Sequence, residues 1–580
     1  PIERIAHRTS PTNIGFALAA NLAAWDFGYL TGGGLLDRTA NTLETMSSLE
    51  RFQGHFYNWY DTRTLRPLRP VYVSSVDSGN LAGLMLTLRP GLLALADAPI
   101  LSPRALDGVQ DTYRVLLDTA GTTPRAAPVR RFGTQLARIA QMPMTTLGAA
   151  RSAFAELAGA ADECVAAIAA ANDEIEHAAA WAADPANATA AAEAQRPAGG
   201  ADAQDDAPAH VHDGREQRSL FDDDGTDAQS QGDAEVQVVV DEAAHSALHP
   251  HALLRSPAVE TLRWARALSR QCHAVLDELY SLAPASADVG YASESTFAGY
   301  GSEANDGYVD DRRRIPTLRE AAREGSAPAA DRLAQIRTLV ERIDALADFD
   351  YRFLYDPQRR LLSIGYNVDE RRLDSSYYDL LASEARLTSF IAVAQNRLPT
   401  EHWFALGRLL TRFSGEPVLV SWSGSMFEYL MPLLVMPVYE NSLLDQTCKS
   451  AVARQIEYGR QRGLPWGISE SGYNAVDAAS NYQYRAFGVP GLGLKRGLSA
   501  DVVVAPYASV LALLVDAPAA VRNLQRLWSQ GLAGAFGLYE AVDFTSSRLP
   551  PGETEIVVRS FMAHHQGMTL LALVSLLRDQ

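Results

Sequence analysis

The chain has 580 residues, 47% of them hydrophobic and 21% charged, and a formal net charge of -18 at pH 7. That length supports a large buried core, and the acidic balance argues against a nucleic-acid binder or a basic membrane-surface protein. Three cysteines, Cys164, Cys272 and Cys448, stand far apart without CxxC or Cys/His spacing, so there is no disulfide framework and no zinc signature, and a reducing compartment is the simpler reading.

The chain begins with Pro1 rather than Met and no basic-then-apolar leader follows, so it reads as a piece of something longer. Thr12 or Asn13 can cap a first helix running to Tyr29, and Leu35 to Phe52 predicts a second after the break at Gly32-Gly33-Gly34. Gly54 to Ser75 gathers Tyr57, Trp59, Tyr60 and Tyr72 with two prolines, which predicts a loop or short hairpin of the kind that often carries function. Another helix follows. Ser102 to Trp181 and Pro257 to Ala347 are rich in Ala and Leu, with apolar residues three and four apart, and predict long amphipathic helices. Between them, Ala183 to Ala244 has few large apolar residues, and from Asp202 to Glu242 it carries thirteen acidic residues against two arginines. Such a stretch cannot offset the entropy of ordering and is expected to be disordered, as a tolerated insertion or, alternatively, an interaction tail.

After Asp348 the aromatic, Gly and Ser content rises. Phe353-Leu354-Tyr355, the Asp356-Pro357 turn and Leu361 to Tyr366 predict a hairpin. Helical runs follow at Ser376 to Gln395, Ser423 to Met436, Ser442 to Gly463, Pro506 to Val515, Pro518 to Gln530 and Ala563 to Leu577. The apolar run Val502 to Val515 is shorter than the roughly 20 residues a membrane span needs and reads as a buried helix. Paired helices of similar length joined by long loops suit an all-α fold, an α/α toroid with short β-hairpins in its loops; periodicity alone leaves other all-α bundles open. The expected division is 1–100 as the first part of the catalytic domain, 101–349 as inserted long helices with the acidic segment at about 183–244, and 350–580 as the main part.

The segment GVPGLGLK from Gly488 to Lys495 is one residue out of step with a phosphate loop, and no GxSxG, HExxH or EF-hand spacing occurs. What recurs is carboxylates beside aromatics. On a helix, Glu384 would share a stripe with Tyr377, Leu380, Leu381, Leu387 and Ile391, so it is either paired, with Arg386 or Arg412, or protonated and functional. Glu470, between Trp466 and Tyr473, suits a sugar subsite, because aromatic faces pack on pyranose rings while polar groups take the hydroxyls. Glu428 has similar neighbours, with a buried carboxylate bonded to serines as the alternative. Asp77, Asn80, Asp369, Asp543, His564, His565 and Gln566 are further polar groups in apolar or aromatic settings, each taken singly more often structural.

The motifs YNWYDT (from Tyr57), SSVDSGNLAG (from Ser74), SIGYNVDE (from Ser363), DLLASEARL (from Asp379), SWSGSMFEYLMPLL (from Ser421), PWGISESGYN (from Pro465), NYQYRAFGVPGLGLKRGL (from Asn481) and FMAHHQGM (from Phe561) are specific. Through them the chain resembles the glycoamylase-like middle domain of bacterial cyclic β-1,2-glucan synthases, over about residues 1 to 100 and 350 to 580. The resemblance implies an (α/α)6 toroid performing anomer-retaining transglycosylation on linear β-1,2-glucan, closing it into rings without metal or organic cofactor. It implies Glu384 as general acid/base and Glu470 as nucleophile. Around them, substrate binding is expected from Trp59, Tyr60, Asp61, Asp77, Asn80, Trp422, Phe427, Glu428, Trp466, Tyr473, Tyr482, Gln483, His564, His565 and Gln566, with Trp59, Tyr60, Trp422, Trp466 and Tyr482 as aromatic platforms. Family proteins are large inner-membrane enzymes with a glycosyltransferase region before this domain and a phosphorylase-like region after it, which implies a soluble domain on the cytoplasmic side. Two alternatives stay open: an endo-β-1,2-glucan hydrolase on the same fold, and a non-catalytic glucan-binding or regulatory module.

Overall fold

Ser10, rather than Thr12 or Asn13, caps the first helix. Pro11 occupies the first helical position, where its missing N–H is no loss, and the Asn13 N–H donates to Ser10 Oγ at 3.1 Å. The computed structural model describes residues 4–121, 126–183, 237–239, 257–283, 313–477 and 480–578. Helix α1 is Pro11–Asp26, α2 Gly32–Ser48 and α3 Ser75–Ala94. The long helices are α4 Ala105–Ala120, α5 Ala126–Ile139, α6 Leu147–Ala183 and α7 Pro257–Leu282, followed by the short α8 Leu318–Arg323 and by α9 Ala327–Leu346. The last third supplies α10 Ala385–Ala394, α11 Glu401–Ala405, α12 Met426–Leu430, α13 Leu443–Arg462, α14 Pro506–Leu511, α15 Leu513–Leu527 and α16 Ala563–Arg578.

The described residues are 56% helical, the sheets among them are small, and the helices close a ring. Going round it, α1 packs on α3, α3 on α10, α12 on α14, α14 on α16, and α16 back on α1. The remaining junction, α10 to α12, is made by the turn Ala382–Glu384 packing on α12 and by the Arg386 guanidinium, which donates to the carbonyls of Glu428 at 2.8 Å and Tyr429 at 2.5 Å. Outside this inner circle α2 lies on α1, α9 on α3, α11 on α10, α13 on α12, and α15 on α14 and α16. This arrangement is the all-α toroid. Inner helices contact neighbours on both sides, so α3 buries residues all round: the consecutive residues Asn80, Leu81, Ala82, Gly83 and Leu84 pass once about its axis and all are buried. Close approach needs glycine at two junctions. A Cβ on Gly79 would lie 1.9 Å from Thr388 Oγ1, and one on Gly567 would lie 2.9 Å from Phe16 Cβ.

Helices α4, α5, α6 and α7 form a bundle beside the ring, α6 against α7 along most of its described length. Phe132, Phe154, Leu157, Leu268 and Cys272 fill the seam, each at most 1% exposed. Glu278 of α7 fastens the bundle to the ring's outer layer: it accepts from the Gly33 N–H at the start of α2 and pairs with Arg332 of α9 at 2.8 Å.

Most loops contain short antiparallel pairs. The expected hairpin is present as Tyr355–Asp356 against Leu361–Leu362. Ser471–Val476 pairs with Tyr482–Arg485, and Val503–Val504, Ala541–Asp543 and Ile556–Val558 form a sheet beside it. The expected disordered segment lies outside the described residues, apart from Ala183 and Gln237–Val239, whose backbone pairs with Arg4–Ile5 and Ser560–Met562.

Two helical expectations are corrected. Ser376 to Gln395 is helical only from Ala385, because the Asp379 carboxylate draws in the N–H groups of Leu381 and Ala382 and ends in a left-handed turn. Ser423 to Met436 shrinks to α12 and a 3-10 turn over Met431–Leu434, since Pro432 cannot donate to a continuing helix.

Candidate active site

The first turns of the six inner helices meet at one end of the ring. Thr12 of α1 donates to Asp77 of α3 at 2.6 Å, and Thr388 of α10 donates to the Ser75 carbonyl at 3.3 Å. Phe427 of α12 sits edge-on to Tyr507 of α14 with centroids 6.4 Å apart, and Tyr507 stacks on His565 of α16 at 3.7 Å. His564, beside it, is close enough to Asp77 to favour that carboxylate's charge. Six helix N-termini, with their partly unpaired N–H groups, thus ring one mouth.

Glu384 stands in this mouth, but not on a helix. Ser383 (φ 47, ψ 40) and Glu384 (φ 58, ψ 16) are consecutive left-handed residues immediately before α10. For non-glycine residues each such conformation costs roughly 1–2 kcal/mol and is held only by its surroundings. Glu384 is 4% exposed and lies near Arg386, whose guanidinium is pushed down by burial. Arg386, weighed in the sequence as a possible partner, spends its hydrogen-bond fork on α12 carbonyls.

Glu470 closes an irregular segment that amide side chains hold in place. Asn523 accepts from the Trp466 N–H and donates to its carbonyl, while Gln455 accepts from Gly467 and Ile468 and donates to the Ile468 carbonyl. Gly467 has φ +118, and a Cβ there would sit 3.1 Å from Ser509 Oγ. The Tyr507 hydroxyl donates to the Glu470 carbonyl at 2.8 Å. Ser469 bonds Tyr507 at 2.7 Å and accepts from the Phe427 N–H at 3.0 Å. Adjacent residues of α12 therefore tie both segments: Phe427 reaches the residue before Glu470, and Glu428 Oε1 accepts from Ser383, the residue before Glu384, at 3.3 Å.

Glu540, not singled out in the sequence, completes the floor. Buried at 2% exposure, it accepts from the Gly472 N–H at 3.0 Å and meets His565 Nδ1 at 3.0 Å. Burial, reinforced by neighbouring His564, pushes the His565 imidazole well below its ordinary value, so it is neutral. On its other side His565 Nε2 lies 3.4 Å from the Tyr484 hydroxyl. The segment GLYEAV around Glu540 shows the same carboxylate-beside-aromatic pattern that singled out Glu470; Tyr484 and Tyr507 carry no such signal.

The expected substrate-binding residues divide. Asp77, Asn80, Phe427, His564 and His565 line the meeting point of the first turns; Asp77 is pushed up by burial against the opposing bonds from Thr12 and Ser74. Gln566 follows half-buried on α16. Trp422 is 53% exposed, and Gln483 is exposed on the strand paired with Tyr473. Trp59 and Tyr482 are half-buried.

Five of the expected residues are engaged within the protein. Tyr60 is 1% exposed and its hydroxyl donates to the Glu50 carbonyl at 2.6 Å, so it is a core residue rather than a platform. Trp466, at 7%, also packs in the core. The Asp61 carboxylate closes its own turn, accepting from Arg63 and Thr64. Tyr473 has the Arg485 and Arg548 guanidinium groups over its ring at 5.4 and 5.0 Å, and Phe487 edge-on. Glu428 is fully engaged within the protein: Oε2 accepts from Ser421 Oγ at 2.7 Å, Ser423 Oγ at 2.5 Å and Gly424 N at 3.0 Å, which opposes the upward push of burial on its carboxyl.

The Glycoamylase family model, which describes candidate glucoamylases, matches residues 376–579. The chain is 35% identical over 577 residues to the cyclic β-(1,2)-glucan synthase NdvB of Rhizobium meliloti (strain 1021), covering 98% of this chain and 16% of that protein. Among solved structures, a candidate glucoamylase from Bacteroides fragilis NCTC 9343 aligns with TM-score 0.45 at 11% identity, over 99% of this chain and 82% of that one. The endo-β-1,2-glucanase of Chitinophaga pinensis aligns with TM-score 0.31 at 15% identity, over 42% of this chain and 60% of that one. The toroid rests on the ring of helices itself; the sequence relationship is to a carbohydrate-active enzyme. The chain carries a glycoamylase-type region at residues 376–579 and is related, along nearly its whole length, to one segment of a cyclic β-(1,2)-glucan synthase.

Proposed function

We propose that this chain is an anomer-retaining transglycosylase that acts on linear β-1,2-glucan and closes it into rings, as one domain of a larger synthase with flanking glycosyltransferase and phosphorylase-like regions. The observation that carries this reading is the 35% identity to a cyclic β-(1,2)-glucan synthase along 98% of the chain. The joint anchoring of the Glu384 turn and the Glu470 segment on α12 supports it.

In this mechanism the protonated Glu384 gives its proton to the departing glycosidic oxygen while the Glu470 carboxylate attacks the anomeric carbon. The glycosidic C–O bond breaks as the glycosyl–Glu470 ester forms. Glu384, now ionised, removes a proton from the hydroxyl at the far end of the same chain, and that oxygen displaces Glu470 with a second inversion. Net configuration is retained and the product is a ring. If water takes the place of the hydroxyl, a shorter linear glucan results.

Incubation with linear β-1,2-glucan tests this. Products without a reducing end are expected; reducing linear fragments alone would make the protein a hydrolase, and binding without turnover a glucan-binding module.

A further inference from the structure

We infer that Glu428 is a positioning residue that holds Glu384 in the orientation needed for proton transfer, an inference that rests on the proposed role of Glu384. Three observations carry it. First, the pair of left-handed residues Ser383 and Glu384 is intrinsically unfavourable, so an external contact has to hold the turn. Second, Glu428 Oε1 accepts from the Ser383 N–H at 3.3 Å, one residue from Glu384, and the Glu428 carbonyl accepts from Arg386 at 2.8 Å, two residues beyond it. The turn is therefore gripped on both sides by one residue. Third, Oε2 is itself held by Ser421 Oγ, Ser423 Oγ and the Gly424 N–H, and the Glu428 side chain also closes a capping box with Ser425.

This explains an otherwise costly arrangement. A buried carboxylate that only capped a five-residue helix could be Gln at little loss, because one acceptor oxygen satisfies that role. Here N–H and O–H donors converge on both oxygens, whereas an amide offers only one acceptor oxygen. In Glu428→Gln an NH2 must face donors on one side or the other, which either releases the Ser383 N–H or disrupts the serine loop. Glu384 would then shift, and a displacement of about 1 Å at a reacting group is enough for roughly a 10²-fold loss.

The test compares two substrates that differ in their need for the Glu384 proton: linear β-1,2-glucan, and a β-1,2-linked glucooligosaccharide with a nitrophenyl leaving group, read as nitrophenol released in the first turnover. For Glu428→Gln we expect kcat on glucan to fall about 10²-fold with KM changed only a few-fold. Nitrophenol release should stay close to wild type. Glu384→Gln, run in parallel, should show the same pattern more strongly. If Glu384→Gln loses both activities equally, the proposed role of Glu384 fails. If Glu384→Gln is rescued by the activated substrate and Glu428→Gln is not, the positioning inference fails and the proposed function stands. Should Glu428→Gln not fold by its thermal melt, Ser423→Ala decides: it removes one bond to Oε2 and keeps the carboxylate. A several-fold loss on glucan with unchanged nitrophenol release supports the inference; equal losses on both, or none, overturn it.

Discussion

The mouth of the ring and the α4–α7 bundle bury comparable stretches of helix by opposite means. In the bundle the seam is mostly Phe, Leu, Val, Ile, Ala and Cys, and burial, with smaller upward pushes from Glu163 and Asp162, raises the thiols of Cys164 to about 11 and Cys272 to about 12. At the mouth the buried set includes Asn80, Glu384, Arg386, Glu428, Glu540, His564 and His565. Buried ionisable groups are poor contributors to stability unless every one is partnered. The bundle therefore reads as stability, and the mouth as a site whose polar groups are kept at stability's expense.

The largest difference should come from the carboxylates. Glu470→Gln should abolish turnover, and Glu384→Gln should reduce it by about 10²–10⁴-fold, both with melting temperatures close to wild type. Azide should intercept the glycosyl-enzyme in Glu384→Gln with a product of retained configuration; an inverted product would reverse the assignment of the two glutamates. Next in size, Phe154→Ala in the bundle should cost about 3–5 kcal/mol by denaturant unfolding while leaving kcat unchanged well below the transition. A matching loss of kcat would dissolve the distinction between the two regions.

A smaller effect follows from His55, beneath the mouth, whose ring meets Ser78 Oγ at 2.7 Å and the Asp350 carbonyl at 3.0 Å. Burial lowers its imidazole to about 4. Between pH 6.5 and about 4 the unfolded chain takes up a proton that the folded one refuses, so acidification removes stability. Relative to His55→Gln, the wild type should lose on the order of 2 kcal/mol between pH 6.5 and 5, measured by urea unfolding. A pH-independent difference would show that the folded protein takes up this proton as readily as the unfolded chain. The smallest effect is assigned to Trp422, which is 53% exposed. Trp422→Ala should weaken glucan binding about tenfold and change stability by no more than about 0.5 kcal/mol.

Legibility along the chain followed the range of the interactions involved. Helix α13 was expected from Ser442 to Gly463 and is found at Leu443–Arg462, with Ser442 accepting from Asp445 and Gly463 at φ +71, because both stop signals are local. The Glu384 stripe misled. Its apolar spacing is real, but the Asp379 side chain and a carboxylate 44 residues further on outweigh helix propensity there. Tyr60 and Trp466 have the composition of platforms, and only packing shows them inside.

Local pattern and composition by themselves determined the helical class, the long helices, the caps of several of them, and the carboxylate-rich motifs, since each depends on residues within a turn or two. Closure of the ring, the meeting of six first turns, the reach of Glu428 to Ser383 and the pairing of Glu540 with His565 were decided only by tertiary structure. These depend on which distant groups satisfy a buried donor or acceptor, and the partners stand 25 to more than 300 residues apart.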